Sequence, residues 1–249
     1  MSGDQVTLVL KSSQMPDMEW LSRDTARKLA QIGISGLWLH LHPSCGKKVF
    51  AKNAWHLVFG LPRSRDADGF VYGPRAFQQV MPTLYRDALT RAEDFLDPSQ
   101  KDCILDLYCG IGVGLSRWTA RCCRVLGVEL DGEAVDCARI NAPDAEILRG
   151  RCADRIPQMN AFAGASGEGN RLLYVNPPRL GLEPAITEWI MDSCRPARMA
   201  YLSCSAGTLR RDLEQLERSG YEILGILPYD FFPQTLHVET LALLALKTD

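Results

Sequence analysis

The sequence predicts an α/β fold: a largely parallel sheet with helices on both faces, preceded by a small β-rich module. Three observations carry this. From residue 103 onward, short apolar runs alternate with stretches of helical spacing, the pattern of strands buried on both faces and joined by crossover helices. The last two apolar runs, 221–228 and 238–246, have no helix between them, so they should pair antiparallel at the end of the sheet. Residues 1–75 instead show short alternating segments broken by turns, which read as half-buried strands.

Composition sets the outer bounds. The chain has 249 residues, 46% hydrophobic and 23% charged, room for one large domain or for a domain with a small companion. No apolar run is long enough to span a membrane. The N-terminus, Met-Ser-Gly-Asp-Gln-Val, lacks a basic segment followed by an apolar core, so no secretory signal is expected and the cytoplasm is the expected compartment. Nine cysteines occur and none is spaced Cys-x-x-Cys. That excludes the common zinc and iron–sulfur patterns, leaves no expected metal, and favours free thiols used as small hydrophobes. Net charge is −2; residues 1–100 carry 12 Lys and Arg against 10 Asp and Glu, and residues 101–249 carry 16 against 20. This is not a chain that grips nucleic acid by bulk positive charge. Arg195, Arg198, Arg210 and Arg211 lie close in sequence to Cys204, as a local basic face or as solvated helix ends.

The elements follow in order. Residues 6–10 read as a strand, 19–32 as a helix with Leu21, Leu29 and Ile32 on one side, and 36–42 as an alternating strand. Two more strands are expected at Lys48–Phe50 and Ala54–Phe59, and Asp66-Ala-Asp-Gly69 as a turn. Pro82 to Leu96 is a helix on the spacing of Leu84, Ala88, Leu89, Ala92, Phe95 and Leu96, stopped by Asp97-Pro98. Strands are then expected at 103–107, 124–129, 145–148, 171–175 and 198–203, and helices at 114–121, 132–140, 184–194 and 207–219. Gly164-Ala-Ser-Gly-Glu-Gly169 reads as a surface loop. The domains are accordingly drawn at 1–75 and 76–249.

Two regions carry chemistry. Asp106-Leu-Tyr-Cys-Gly-Ile-Gly-Val-Gly114 follows the first strand of the sheet and opens a helix. Its glycines let backbone approach a ligand, although a tight strand-to-helix turn alone needs them too. The next strand ends at Glu129, where a carboxylate can accept from both ribose hydroxyls of an adenosine cofactor. The second region comprises Asn176-Pro-Pro-Arg179 after the fourth strand, Cys204 on the loop after the fifth, and Glu239 opening the last strand. Taken singly, Cys204 is a buried filler and Glu239 a surface acid at a strand edge. The residues by themselves leave each open between that reading and a chemical one, a thiol nucleophile and a carboxylate base.

The strand order resembles the class I S-adenosylmethionine methyltransferase sheet of seven strands, a Rossmann-like architecture. The segments DLYCGIGVG, GVELDGEAVDCARINA, NPPRLG, YLSCSAGTLRRDL and FFPQTLHVETLALL, in that order, resemble the RNA 5-methyluridine (uracil-C5) methyltransferase family, firmly over residues 70–249 and more loosely before. Phe77 and Gln79 match a Phe-x-Gln segment upstream. The resemblance implies methyl transfer from S-adenosylmethionine to C5 of uridine in rRNA or tRNA, with Cys204 as covalent nucleophile and Glu239 as base. It places Gln79, Tyr108, Gly110, Gly112, Glu129 and Asn176 at the cofactor pocket, and RNA is the implied partner of a monomeric enzyme. The match has departures. Asn176 stands for the usual aspartate, Ser205-Ala206 for Asn-Pro after the cysteine, and Met81 for an asparagine; Cys152-Ala-Asp154 stands where an acid-Ala-acid run is usual. No oligonucleotide-binding TRAM domain or four-cysteine iron–sulfur cluster is recognisable, which implies a shortened member. Two other readings use the same residues: a non-catalytic relative that binds S-adenosylmethionine or RNA, and a methyltransferase with another acceptor in which Cys204 is structural.

Overall fold

The computed structural model describes residues 5–19, 21–43, 50, 53–122, 124–165, 167 and 169–247. The chain divides into two compact units, 1–76 and 77–249.

In the first unit, β1 (Gln5–Leu10), β2 (Gly36–Leu41) and β3 (Trp55–Gly60) form one sheet in that order. β1 and β2 run parallel, joined by helix α1 (Arg23–Gln31), and β3 is antiparallel to β2. Ser22 caps α1 by accepting from the Thr25 amide at 3.2 Å, which starts the helix later than the apolar spacing implied. Leu37, Leu39 and Leu41 are buried on one face of β2, and His40 stacks on Trp55 at 4.2 Å on the other. The turn expected at residues 66–69 closes a two-residue ladder between β4 (Ser64–Arg65) and β5 (Val71–Tyr72); Asp66 Oδ1 accepts from the amides of Asp68 and Phe70. Of the strand expected at Lys48–Phe50, residues 48 and 49 lie outside the described residues, and Phe50 is not in a strand.

The second unit begins with α2 (Pro82–Leu96) and then alternates strand and helix. Its elements are β6 (Cys103–Leu107), α3 (Val113–Thr119), β7 (Arg124–Glu129), α4 (Gly132–Asn141), β8 (Glu146–Arg149), α5 (Ile156–Gly164), β9 (Arg171–Val175), α6 (Pro184–Trp189), β10 (Arg198–Ser203), α7 (Ala206–Arg218), β11 (Tyr221–Tyr229) and β12 (Glu239–Leu246). The sheet order is β11-β12-β10-β9-β6-β7-β8, in which β10, β9, β6, β7 and β8 run parallel to one another. β12 is antiparallel to both β10 and β11 and lies between them. The last strand thus enters the sheet rather than extending it.

Side chains alternate between two cores. Cys103, Leu105 and Leu107 pack with Met159, Ile186, Trp189, Leu209, Leu213 and Leu216 from α5, α6 and α7. Ile104 packs on the opposite face with Ala88, Leu89, Leu115, Trp118, Val135 and Ala138 from α2, α3 and α4. Two expectations differ from the outcome. α5, after the 3-10 turn Ala153–Arg155, was not legible: it has no side-chain cap and buries only Met159 and Ala163. The helix expected over 184–194 ends at Trp189 and widens into a π turn, Ile190–Cys194, closed by Arg195 in the left-handed region.

Candidate active site

Parallel strands aim their carboxyl ends at one edge of the sheet, where loops of α/β folds hold ligands. β6 leaves that edge through a tight turn. Tyr108, Gly110 and Gly112 all have positive φ (63°, 56° and 84°), and a left-handed tyrosine is strained, of the order of 1 kcal/mol. The turn is held by backbone bonds, with the amides of Tyr108 and Cys109 donating to the Val128 carbonyl at 2.9 and 3.2 Å. Gly112 is required because a Cβ there would lie 3.1 Å from the Cα of Ala138. Gly110 faces open space, with nothing within 4 Å of where a Cβ would be.

Glu129 at the end of β7 is fixed by this turn. Its Oε2 accepts from the Gly110 amide at 3.0 Å and its Oε1 from the Asp131 amide at 2.8 Å. Each oxygen keeps another acceptor direction. Below the turn lies Asp106, 1% exposed in an otherwise apolar strand. Oδ2 accepts from Trp118 Nε1 at 2.8 Å, and Oδ1 has no partner. Burial pushes its carboxyl up to about 7, the Trp118 bond acting against this and the Glu129 charge adding to it. Asp106 was read only as part of a motif; a lone acid inside a buried strand is the signal that marks it.

The other half of the edge is built from side chains. Ser203, the last residue of β10, pairs with Thr240 of β12, and β12 opens at Glu239. The antiparallel register therefore brings Cys204 and Glu239 to adjoining strand ends. Glu239 is not a surface acid: it is 3% exposed, and its Oε2 has no hydrogen-bond partner. Burial raises its carboxyl to about 7, and Arg179 opposes the rise. The Cys204 thiol is half-buried; burial raises its pKa first, the Glu239 charge raises it further, and Arg179 lowers it. Arg179 is thus the cation of this half, a role not assigned to it from the sequence. The loop after Cys204 is pinned without a proline. The Ser203 hydroxyl donates to the Ser205 carbonyl and accepts from the Ser205 amide, both at 3.2 Å. The Thr208 hydroxyl also donates to the Ser205 carbonyl at 3.2 Å.

Asn176 sits between the halves, at the end of β9, with its amide donating to the Leu107 carbonyl at 3.3 Å. Gln79 precedes α2, whose far end receives Arg198 from the start of β10, so the residues before Pro82 lie at the carboxyl edge. Among the described residues, the buried side-chain atoms without a hydrogen-bond partner are Gln79 Oε1, Asp106 Oδ1, Tyr108 Oη, Tyr174 Oη and Glu239 Oε2. Buried polar atoms are nearly always paired, and these five belong to the strand ends and loops of one edge. The arginines near Cys204 in sequence do not form a single face: Arg198 opens β10 at the opposite edge, while Arg211 pairs with Asp212 beside the site. Among the described residues no group of three or more His, Cys, Asp or Glu is placed to hold a metal, and no helix is long and apolar enough to cross a membrane.

A seven-stranded sheet with its last strand inserted antiparallel and a glycine turn after the first of its strands in sequence defines the class I methyltransferase fold. The chain superposes with a TM-score of 0.67 on the tRNA (uracil-54, C5)-methyltransferase of Pyrococcus abyssi, solved in complex with S-adenosyl-L-homocysteine. The two are 24% identical, over 97% of this chain and 56% of that one. Residues 169–247, which contain Asn176, Cys204 and Glu239, match the model of the tRNA (uracil-5-)-methyltransferase family. The chain is also 30% identical, over 97% of its length, to an uncharacterized RNA methyltransferase of Nostoc sp., and 34% identical, over 72%, to one from Halalkalibacterium halodurans. It covers 52% and 39% of those proteins, so it spans about half the length or less of these curated relatives. Over residues 169–247 the chain is thus similar to the tRNA (uracil-5-)-methyltransferase family, and over most of its length to proteins named RNA methyltransferases.

Proposed function

We propose that this chain transfers a methyl group from S-adenosylmethionine to C5 of uridine in RNA, of the ribosomal or transfer class, with Cys204 as covalent nucleophile and Glu239 as base. One observation carries the reading. A half-buried thiol and a buried carboxylate with one oxygen left without a hydrogen-bond partner stand at adjoining strand ends, beside a backbone-lined turn. Direct methyl transfer to a good nucleophile needs neither group.

The residues present fit the adenosyl cofactor. Gly110 leaves room where any other residue would place a side chain, and Tyr108 Oη and Gln79 Oε1 are buried polar atoms still without partners. Glu129 is held with acceptor capacity to spare for ribose hydroxyls. These residues, with Gly112 and Asn176, would hold it. The relative from Pyrococcus abyssi, in complex with S-adenosyl-L-homocysteine, supports that choice. When bound, S-adenosylmethionine supplies an electrophilic methyl on a sulfonium.

The chain's own residues supply the rest. C5 of uracil is a poor nucleophile. Addition of the Cys204 sulfur to C6 pushes electron density onto C5, which becomes enolate-like and able to take up the methyl. The Glu239 carboxylate then accepts the C5 proton; the C5–H electrons re-form the C5–C6 double bond and the C6–S bond breaks, returning the thiolate. A carboxyl near 7 is matched to a base working at neutral pH. Arg179 favours the charged forms of both groups. Because Cys204 is recessed, the target base has to leave its stack to reach it. Asn176 is neutral where the family has an aspartate; its carbonyl can accept from uracil N3–H, as a carboxylate would. We assign the activity to residues 77–249 and treat residues 1–76 as an accessory β-rich domain.

The test is to incubate the protein with methyl-labelled S-adenosylmethionine and unmodified total RNA, then digest to nucleosides. Labelled 5-methyluridine is expected. Its absence, under conditions where S-adenosylmethionine binds, contradicts the reading.

A further inference from the structure

We infer that Asp212 is a positioning residue for the Cys204–Glu239 pair: it holds Arg179 in place by clamping the loop after β9 to helix α7. The inference rests on the catalytic reading of Cys204 and Glu239 given above.

Asp212 is 1% exposed on α7, the helix that begins two residues after Cys204. Its carboxylate is a four-way hub. Oδ2 accepts from Tyr201 Oη of β10 at 2.8 Å and from the Leu182 amide at 2.9 Å. Oδ1 accepts from Nε and an Nη of Arg211 at 2.8 and 2.7 Å. Arg211 in turn donates to the Leu180 carbonyl at 3.0 Å, and the Thr208 hydroxyl shares its proton between the Arg179 carbonyl at 3.3 Å and the Ser205 carbonyl at 3.2 Å. Residues 179, 180 and 182 are therefore each tied to α7, through Thr208, Arg211 and Asp212. Gly181 completes the fit: its φ is 77°, and a Cβ there would lie 2.5 Å from Asp212 Oδ2.

What the clamp holds is a cation. Arg179 is exposed and follows two prolines. Arg179 and Glu239 are the charged groups that bear on Cys204, and Arg179 is the one that bears on Glu239. Glu239 also bears on Tyr174, and Asp212 and Arg211 bear on Tyr201. Charge–charge influence falls steeply with distance near a solvated surface. An arginine on a free loop would lose its hold on the thiol. The pieces recur in the sequence as Arg179-Leu-Gly-Leu182 and Thr208-Leu-Arg-Arg-Asp212, two segments with no local reason to meet.

The test is site-resolved alkylation of Cys204 by iodoacetamide across pH, read by mass spectrometry on the full chain. Asp212→Asn should move the inflection of the Cys204 rate upward by about one pH unit. Arg179→Met should do the same, Arg211→Met should move it part of the way, and the Asp212→Asn/Arg179→Met double variant no further than Arg179→Met. If Asp212 acted through its own negative charge, its removal would move the inflection down. If it served only the fold, the melting temperature would fall and the inflection would stay. Either outcome overturns the inference. Should Asp212→Asn not fold, Arg211→Met, whose side chain is half exposed, carries the test. A second arm captures 5-fluorouridine RNA on the wild-type chain. Failure there removes the catalytic reading of Cys204, while the alkylation inflections report on the clamp itself.

Discussion

The two halves of the carboxyl edge are made of different material. The β6–β7 half is backbone: three positive φ values, amides bonded to Val128 and Glu129, and open space beside Gly110. The β10–β12 half is side chain: a thiol, a buried carboxylate and an arginine whose charges oppose one another. Backbone suits a ligand that has to be held in one pose, since its amides lose little entropy on binding. Side chains suit a reaction that moves protons, since their pKa values can be tuned.

The contrast breaks most sharply at Cys204. Cys204→Ala should lower turnover by about 10^4-fold or more while leaving affinity for S-adenosyl-L-homocysteine within about twofold, because the cofactor half does not use the thiol. Rate assays and calorimetric titration on the same preparation read both halves. Glu239→Gln separates the steps within the chemical half. Addition to C6 survives and proton removal does not, so turnover should fall by roughly 10^2- to 10^4-fold, with protein–RNA adduct accumulating on ordinary uridine RNA in denaturing gels.

The converse substitution is Gly112→Val. It combines a strained φ with a Cβ pressed on Ala138 and should destabilise the fold by about 2–4 kcal/mol, seen as a lowered melting temperature.

pH ties the halves together. Glu239 has to be ionised to accept a proton, so turnover should rise with pH through about 7, and continue upward as the Cys204 thiolate forms. Stability should move the other way. Asp106 has a folded-state pKa of about 7, above its unfolded value, so its contribution is complete at low pH and is lost as pH rises through about 7. Asp106→Asn should flatten the fall in unfolding free energy between about pH 4 and 7, a fall on the order of 4 kcal/mol read by denaturant unfolding at each pH.

Legibility in the sequence followed the same division. The strands from β6 to β10 were readable because each is a short apolar run set between stretches of helical spacing or turn residues, and the glycine turn with Glu129 lies within one strand–helix–strand unit. The pairing of Cys204 with Glu239 was not readable locally. It depends on β12 entering between β10 and β11, a long-range register that no spacing encodes. The same is true of Asp212, which in the sequence is one more charge on an amphipathic helix. α5 escaped because a short helix without a cap leaves a weak periodic signal. Ala206 stands where a stiffening proline is usual; the two bonds between the Ser203 hydroxyl and the Ser205 backbone constrain the loop instead.

The most direct measurement is covalent capture. RNA carrying 5-fluorouridine in place of uridine, incubated with S-adenosylmethionine and the chain, presents a C5 from which no proton can be removed. The expected result is a denaturation-stable protein–RNA complex whose crosslinked peptide contains Cys204, and no complex with Cys204→Ala. Uridine methylation that persists in Cys204→Ala, without an adduct in the wild type, would contradict the covalent assignment.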